Sequence, residues 1–339
     1  MGSSLEDMEL HGQKERFQKY YLNVYRQSFE KVIVFSYKDS PLHRYFYSLA
    51  LPLVKRKDFT TCDVFRCFHL SSTPPAIVGK ILFNKKFVFN YNYDYKKWAV
   101  IEKKPFLVPL IQLLEQVSFR LANHIFVADE RMAEFARTLR SATKITNIPN
   151  GVDVTIFRPA LHNKKNSQKV ILSVGRLEEQ KNYGQLIAAV ANISPKPHLI
   201  IIGRGALKET LVRQAGRLAV DMTIIDVVPH LELPKYYQSA DVYVQPSLAE
   251  APVKTLLEAM SCQCACVGTR VPGISGVLED GKNGLLASLE TKDLQKKIQQ
   301  VLNNPKTAKK LGEQARVTII NRFNIKKMIN KEISILKSI

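Results

Sequence analysis

What most constrains this chain is a repeated alternation of short apolar runs with longer amphipathic stretches. A first series reads "KVIVFSY" (31–37), "CDVFRCF" (62–68), "KFVFNY" (86–91), "HIFVAD" (124–129) and "KITNIP" (144–149). A second reads "KVILSVG" (169–175), "HLIIIG" (198–203), "MTIIDV" (222–227), "ADVYVQPS" (240–247) and "CACVGT" (264–269). Helical patterns such as "YGQLIAAVAN", "LKETLVRQAGRL" and "TKDLQKKIQQVLNN" accompany them. Strands alternating with helices at this spacing close into parallel sheets covered by helices. The two series predict an α/β chain of two doubly wound, Rossmann-like parallel-sheet domains, and 339 residues suit two such cores. The joint falls at "IPNGVDVTIFRP" (148–159), where Pro and Gly break the pattern, followed by the polar loop "LHNKKNSQ" (161–168). The first domain is therefore 1–150 and the second begins at 151.

Open parallel sheets bind ligands beyond the carboxyl ends of their strands. Two sheets facing each other would form a cleft, so the loops after the strands are where a site belongs. After the run 169–175, Arg176 leaves the strand and Lys181 stands just before a helix. Two cations at such a turn, beside a partly positive helix terminus, suit a diphosphate; a solvated basic loop explains the same residues. After 198–203, Gly203 and Gly205 flank Arg204. Glycines there admit close approach of a ligand, or simply make a tight turn.

The stretch after the run 240–247 is more specific: "SLAEAPVKTLLEAMS" (247–261). With Pro252 as the first helical residue, Ala251 is the N-cap and offers no side-chain acceptor. The amides of Val253 and Lys254 are then left to hold an anion. A lysine in a first turn is disfavoured by a few tenths to about 1 kcal/mol, and a bound phosphate reverses that sign. Glu250 would point past the phosphate to the hydroxyls of an attached group. Glu258, about two turns into the helix, could accept from a diol such as a ribose.

The net charge is +20, with 50 Lys and Arg against 30 Asp and Glu. Residues 1–150 carry 23 basic and 14 acidic side chains (+9) and the remainder 27 and 16 (+11). Such a balance implies an anionic partner: nucleic acid, a membrane surface or a phosphorylated ligand. The charge has no basic tail and no nucleic-acid module accompanies it, which speaks against nucleic acid. No run of about 18 apolar residues occurs, and the polar, acidic start "SSLEDMEL" is not a signal peptide. Five cysteines (62, 67, 262, 264 and 266) make no even disulfide framework. Cys262, Cys264 and Cys266 alternate along an expected strand with their thiols on one face, and their spacing is not that of a zinc site. Buried reduced thiols, no metal and a cytoplasmic location are the expectation.

In the order of its motifs, the chain resembles the retaining glycosyltransferases of family 4, which have the GT-B fold, over roughly residues 145–325. The motifs are "IPNGVD" (148–153), "SVGRLEEQKN" (173–182), "IIGRGALKETL" (201–211), "VPHLELPKYYQSADVYVQPSLAE" (228–250) leading to Glu250 and Glu258, and "VPGISGVLEDGKNGLL" (271–286). "NRFNIKKMINKEI" is similar to the family's final helix, which crosses back to the first domain. That gives a second domain of 151–322 and a terminal helix of 323–339.

The resemblance implies transfer of a hexosyl group from a UDP- or GDP-sugar with retention, without metal or other cofactor. Arg176 and Lys181 would neutralise the departing diphosphate, Glu250 would contact the donor sugar, and these three form the expected catalytic set. Glu258 would hold the ribose; Gly203, Gly205, Val228, Ala251, Val253 and Lys254 complete the donor-binding set. The chain departs from the family's pattern in several places. Asn92 or Asp94 stands about where the family often has a histidine, and either is a candidate contact to sugar or acceptor. Ala251 replaces a usual glycine, and Ser275 and Gly276 stand near an expected glutamate. The start "GSSLEDMELHGQKERFQKYY" reads as loop and helix with the first strand missing.

The first domain should choose the acceptor. "LHRYFYSLALPLVKRK" (42–57) and "DYKKWAVIEKKPFLVPLI" (94–111) interleave basic with bulky apolar residues. That pattern suits an anionic bilayer, although an amphipathic helix packed on its sheet reads similarly. The expectation is an enzyme peripheral on the cytoplasmic membrane face that glycosylates a lipid-linked or other membrane-proximal glycan. Its rivals are a catalytically impaired nucleotide-sugar binder of the same fold and a basic nucleic-acid-binding protein.

Overall fold

The computed structural model describes residues 17–35, 44–92, 94–101, 103–139, 144–160, 168–250 and 253–339. The chain divides into two compact units, Met1–Pro149 with Lys326–Ile339, and Asn150–Ile325.

Unit 1 holds a four-stranded parallel sheet in the order β1 (Val64–Cys67), β2 (Lys86–Tyr91), β3 (His124–Val127), β4 (Ile145–Asn147). Its helices are α1 (Asn23–Ser28), α2 (Arg44–Val54), α3 (Arg56–Thr61), α4 (Thr73–Phe83), α5 (Tyr95–Ile101), α6 (Val108–Leu121) and α7 (Glu130–Leu139). Strands that follow one another in a single direction through right-handed crossovers place α4, α6 and α7 on one face. There Phe87, Phe89 and Tyr91 of β2 meet Phe119 of α6 and Ile125 and Val127 of β3. The alternate side chains of the strands point the other way. Arg66 of β1 ion-pairs there with Glu332 of the terminal helix, donates to Asn90 Oδ1 at 2.8 Å and lies over the Phe126 ring at 5.0 Å. Tyr25 of α1 donates to the same glutamate.

Residues 31–35 of the run "KVIVFSY" are irregular chain rather than strand. Phe35 packs against Phe59 at 5.2 Å, so the run contributes apolar contact without joining a ladder; an apolar run alone does not dictate strand. The rest of that run, and residues 1–16 on which the missing-strand expectation rests, lie outside the described residues.

Unit 2 holds six parallel strands: β5 (Val170–Val174), β6 (His198–Ile202), β7 (Met222–Ile225), β8 (Val242–Gln245), β9 (Cys266–Thr269) and β10 (Leu285–Ala287). Their order is β10-β9-β8-β5-β6-β7. From β5 the chain steps outward through β6 to β7, then returns to the other side of β5 and steps outward again. Helices α8 (Tyr183–Ala191) and α9 (Lys208–Arg217) accordingly pack on one core, and α10 (Leu233–Ser239) and α11 (Lys254–Ser261) on the other. The short α12 (Pro272–Ser275), then α13 (Thr291–Asn303) and α14 (Pro305–Arg322), close the unit, and α15 (Ile325–Ser338) follows. β5, β8 and β9 are buried at every position, which is why their sequences read as continuous apolar runs. β10, only three residues long, was not foreseen. The polar loop expected at 161–168 falls almost wholly outside the described residues.

The three clustered cysteines do not share a strand. Cys262 caps the end of α11, Cys264 lies in the turn, and only Cys266 is in β9. All three nevertheless enter one core, and burial pushes the Cys264 thiol up to about 12.

Candidate functional site

The reversal of strand order sets β5 beside β8, with Ile171 opposite Val242 and Leu172 opposite Tyr243. The loops leaving these two strands are therefore neighbours. Leu248 N donates to Gln180 O at 2.9 Å. Gln180 Nε2 donates to Ala249 O at 2.7 Å, and Asn182 Nδ2 to Pro246 O at 3.2 Å. Across this seam Lys181 and Glu250 form an ion pair, their side chains 15% and 7% exposed. Glu250 Oε1 also accepts from Ser247 Oγ at 2.6 Å and Gln245 Nε2 at 3.0 Å. Gln245, 1% exposed, is itself fixed: its Oε1 accepts from Tyr243 at 2.6 Å and Thr255 at 3.3 Å, and its Nε2 donates to Ser247 at 2.8 Å. A buried carboxylate is tolerable when a cation and further donors compensate the lost hydration, and here all of them are in place. Tyr183 adds a buried hydroxyl with no hydrogen-bond partner, near Gly175 and Lys181.

Glu258 is the second buried carboxylate, 4% exposed. Its Oε1 accepts from His230 Nε2 at 2.9 Å and its Oε2 from the Tyr237 hydroxyl at 3.1 Å. Burial first, then the Glu258 charge, raises the Tyr237 pKa well above that of a free tyrosine, so the phenol stays a donor. His230 lies against the Phe157 ring at 5.0 Å between centroids.

The start of α11 corrects the expected geometry. The N-cap is Val253, in extended conformation, and Lys254 is the first helical residue. Ala251 and Pro252, expected as N-cap and first position, lie outside the described residues. The start still has no side-chain cap, because valine offers no acceptor. Beginning two residues later, the helix carries Glu258 little more than one turn in.

Residues 156–318 match the family described as Glycosyl transferases group 1. This segment is a glycosyl transferases group 1 domain. Among its relatives, the phosphatidyl-myo-inositol mannosyltransferase of Mycobacterium tuberculosis is 34% identical over 155 residues, 44% of this chain and 41% of that protein. The UDP-Gal:alpha-D-GlcNAc-diphosphoundecaprenol alpha-1,3-galactosyltransferase of Escherichia coli is 28% identical over 208 residues, 56% of this chain and 52% of that one. The matches thus span about half the length of these curated relatives. In three dimensions the chain is similar to sucrose-phosphate synthase from Thermosynechococcus elongatus, with a TM-score of 0.74, 22% identity, and coverage of 88% of this chain and 81% of that one. The fold class is GT-B, with two Rossmann-like parallel-sheet units, as expected.

Within the group 1 domain the remaining expected residues fall as follows. Arg176 follows β5, but its side chain is 62% exposed and pairs with Glu178 at 2.9 Å. The glycines after β6 meet the Arg176 loop itself: a Cβ on Gly203 would stand 1.9 Å from Gly175 O, and one on Gly205 2.4 Å from Leu177 O. These positions hold the loop in place by close backbone packing. Val228 is half-buried against the core beneath α11. In unit 1, Asp94 Oδ1 accepts from Lys97 N at 3.0 Å and so caps α5, whereas Asn92 Oδ1 is buried and unpartnered.

Sequence reasoning missed Gln245, Ser247, His230 and Tyr237, all of which touch the two glutamates, and Gly273, where a Cβ would stand 2.2 Å from Glu250 O. One signal was present: Gln245 is a polar residue inside an otherwise apolar strand, and a buried amide needs partners. Among the described residues no group of three or more His, Cys, Asp or Glu is placed to hold a metal.

Proposed function

We propose that the chain transfers a hexosyl group from a UDP- or GDP-sugar, with retention at the anomeric carbon, to a lipid-linked or other membrane-proximal glycan. The observation that carries this reading is the buried Lys181–Glu250 pair at the strand-order reversal of a group 1 domain. In this position a departing diphosphate meets Lys181, with Arg176 a few residues away in the same loop and the first-turn amides of α11 as further donors. Preorganised positive charge lowers the barrier where negative charge develops, and on this reading the protein's own cations do so without a metal or other cofactor. Three donors converge on Glu250 Oε1, leaving Oε2 to accept from hydroxyls of the donor sugar. Glu258, oriented by His230 and Tyr237, accepts from the ribose diol. Asn92 offers its unpartnered amide oxygen to the sugar or acceptor.

The acceptor class draws on two supports. Two relatives carry diphosphoundecaprenol and phosphatidyl-myo-inositol in their names, and the chain itself has a net charge of +20. On this reading the protein works at the cytoplasmic face of a membrane, as a peripheral protein.

A thermal-shift series with UDP-, GDP- and ADP-sugars tests the donor, since a ligand that binds only the folded state raises the melting temperature. Stabilisation by a UDP- or GDP-sugar is expected; stabilisation by none would sink the reading. Nuclear magnetic resonance of the product's anomeric proton then tests retention.

A further inference from the structure

We propose that Tyr183 is a positioning residue of the donor site: its hydroxyl takes over part of Lys181's place on Glu250 when the lysine turns to a bound diphosphate. This rests on the donor reading above and adds to it the group that keeps the carboxylate partnered during binding.

Tyr183 opens α8, and its ring lies in the core that also holds Leu186, Ile187 and Val244. A phenylalanine would fill that space equally well. The hydroxyl is nevertheless there, buried, and among the described residues it has no hydrogen-bond partner. Ser173 stands beside it, but its own proton goes to Val244 O at 2.6 Å. A buried donor without an acceptor lowers stability, so its presence calls for a reason.

What the hydroxyl adjoins supplies one. Asn182 takes the left-handed conformation, with φ of 56°, and on either side of it Lys181 and Tyr183 both come back over Gly175. A Cβ on Gly175 would stand 2.8 Å from Tyr183 Oη, 3.4 Å from Lys181 Cε and 3.6 Å from Lys181 Cδ. The hydroxyl thus borders the stem of the lysine whose ammonium pairs with Glu250. Burial raises the Tyr183 pKa, Ser173 offsets part of the rise, and the Glu250 charge adds to it. The phenol therefore keeps its proton for donation.

In the free protein Lys181 is committed to Glu250. A diphosphate that arrives at Lys181 meets the same carboxylate, and like charges repel. The ammonium, on its flexible stem, can turn from one anion to the other. Glu250 is buried and cannot turn to water instead. Ser247 and Gln245 already donate to it, and the Tyr243 and Thr255 hydroxyls are committed to Gln245. Of the described hydroxyls around the pair, Tyr183 is the one left to donate. Its O–H, without an acceptor while the lysine is in place, then joins the donors around Glu250 and offsets part of the lost ammonium.

Calorimetry with UDP and GDP on the full chain tests the exchange in two backgrounds. Tyr183→Phe should weaken binding of the nucleotide that the wild type accepts by about tenfold, the effect of losing a hydrogen bond to a charged group. In Glu250→Gln no charge is left to compensate, so adding Tyr183→Phe there should change the affinity little. The melting temperature of ligand-free Tyr183→Phe should equal or exceed that of the wild type, because the change removes an unpaired polar group. Undiminished binding by Tyr183→Phe, an equal loss in both backgrounds, or a clear fall in the ligand-free melting temperature would overturn the proposal. Failure of the wild type to bind either nucleotide defeats the donor reading and this role with it. Intact wild-type binding with any of those three results defeats the role of Tyr183 alone.

Discussion

Lys181 and Glu250 lie 69 residues apart in the chain and close a single buried ion pair. The pair exists because β5 and β8 are adjacent in the sheet although two strands intervene in sequence. It couples the loop expected to meet a diphosphate to the carboxylate expected to meet the sugar.

Removing one partner strands the other in a dry environment. Lys181→Ala or Glu250→Ala is expected to destabilise unit 2 by about 3–5 kcal/mol. The double variant should cost less than the sum of the two by roughly 0.5–3 kcal/mol. Denaturant unfolding of the four proteins measures this, and strict additivity would show that the pair is not coupled.

The two glutamates should separate kinetically. Glu258→Ala removes a charged acceptor from the ribose site and should weaken nucleotide binding by about 10- to 150-fold, from the 1.5–3 kcal/mol of such a bond. Glu250→Gln should instead depress turnover with nucleotide affinity nearly unchanged. Calorimetry with the nucleoside diphosphate, beside steady-state rates, distinguishes them; equal loss of both quantities in each variant contradicts the assigned roles.

Gln245 touches Glu250 but not, on this reading, the substrate. Gln245→Leu keeps the volume roughly constant while deleting the bonds that orient the carboxylate, so turnover should fall by about 10- to 100-fold. The KM for donor should move little. A large rise in KM with unchanged kcat would mark Gln245 as a ligand contact instead.

Gly273 is a test of backbone approach. A Cβ there would stand 2.2 Å from Glu250 O, so Gly273→Ala should push the Glu250 loop outward at about 1–3 kcal/mol. The expected signature is impaired turnover with the circular dichroism of the native fold. Full activity would show that the loop yields freely.

Burial raises the thiols of Cys67 and Cys264, each to about 12, from an ordinary value of 9.0. The unfolded chain then loses these protons first as pH rises. Their contribution to stability is whole below pH 9 and declines as pH climbs towards 12. Urea midpoints measured from pH 7 to 10.5 should fall above 9, and Cys67→Ala with Cys264→Ala should flatten that decline. Native protein at pH 8 should resist alkylation at both positions.

Much of the architecture was legible because parallel strands buried on both faces leave continuous apolar runs. β5, β8 and β9 stood out for that reason, whereas β10 was too short and the run at 31–35 had the composition without a place in a ladder. The loops that would carry the site were legible too, since chain connectivity puts them after strands. The register of α11 was not: Pro252 suits a first helical position locally, yet the helix begins at Lys254.

The sequence by itself determined the class of fold, the two series of strands and the residue types at each strand end, because these follow from periodicity and composition along the chain. Only the tertiary structure decided that Lys181 pairs with Glu250, that Gln245 and Ser247 hold that carboxylate, and that His230 and Tyr237 share Glu258. It also placed Asp94 as the cap of a helix, accepting from Lys97 N. These are contacts between segments distant in sequence. They depend on which strands lie side by side and which buried polar groups must find partners once water is excluded, and no local pattern encodes that.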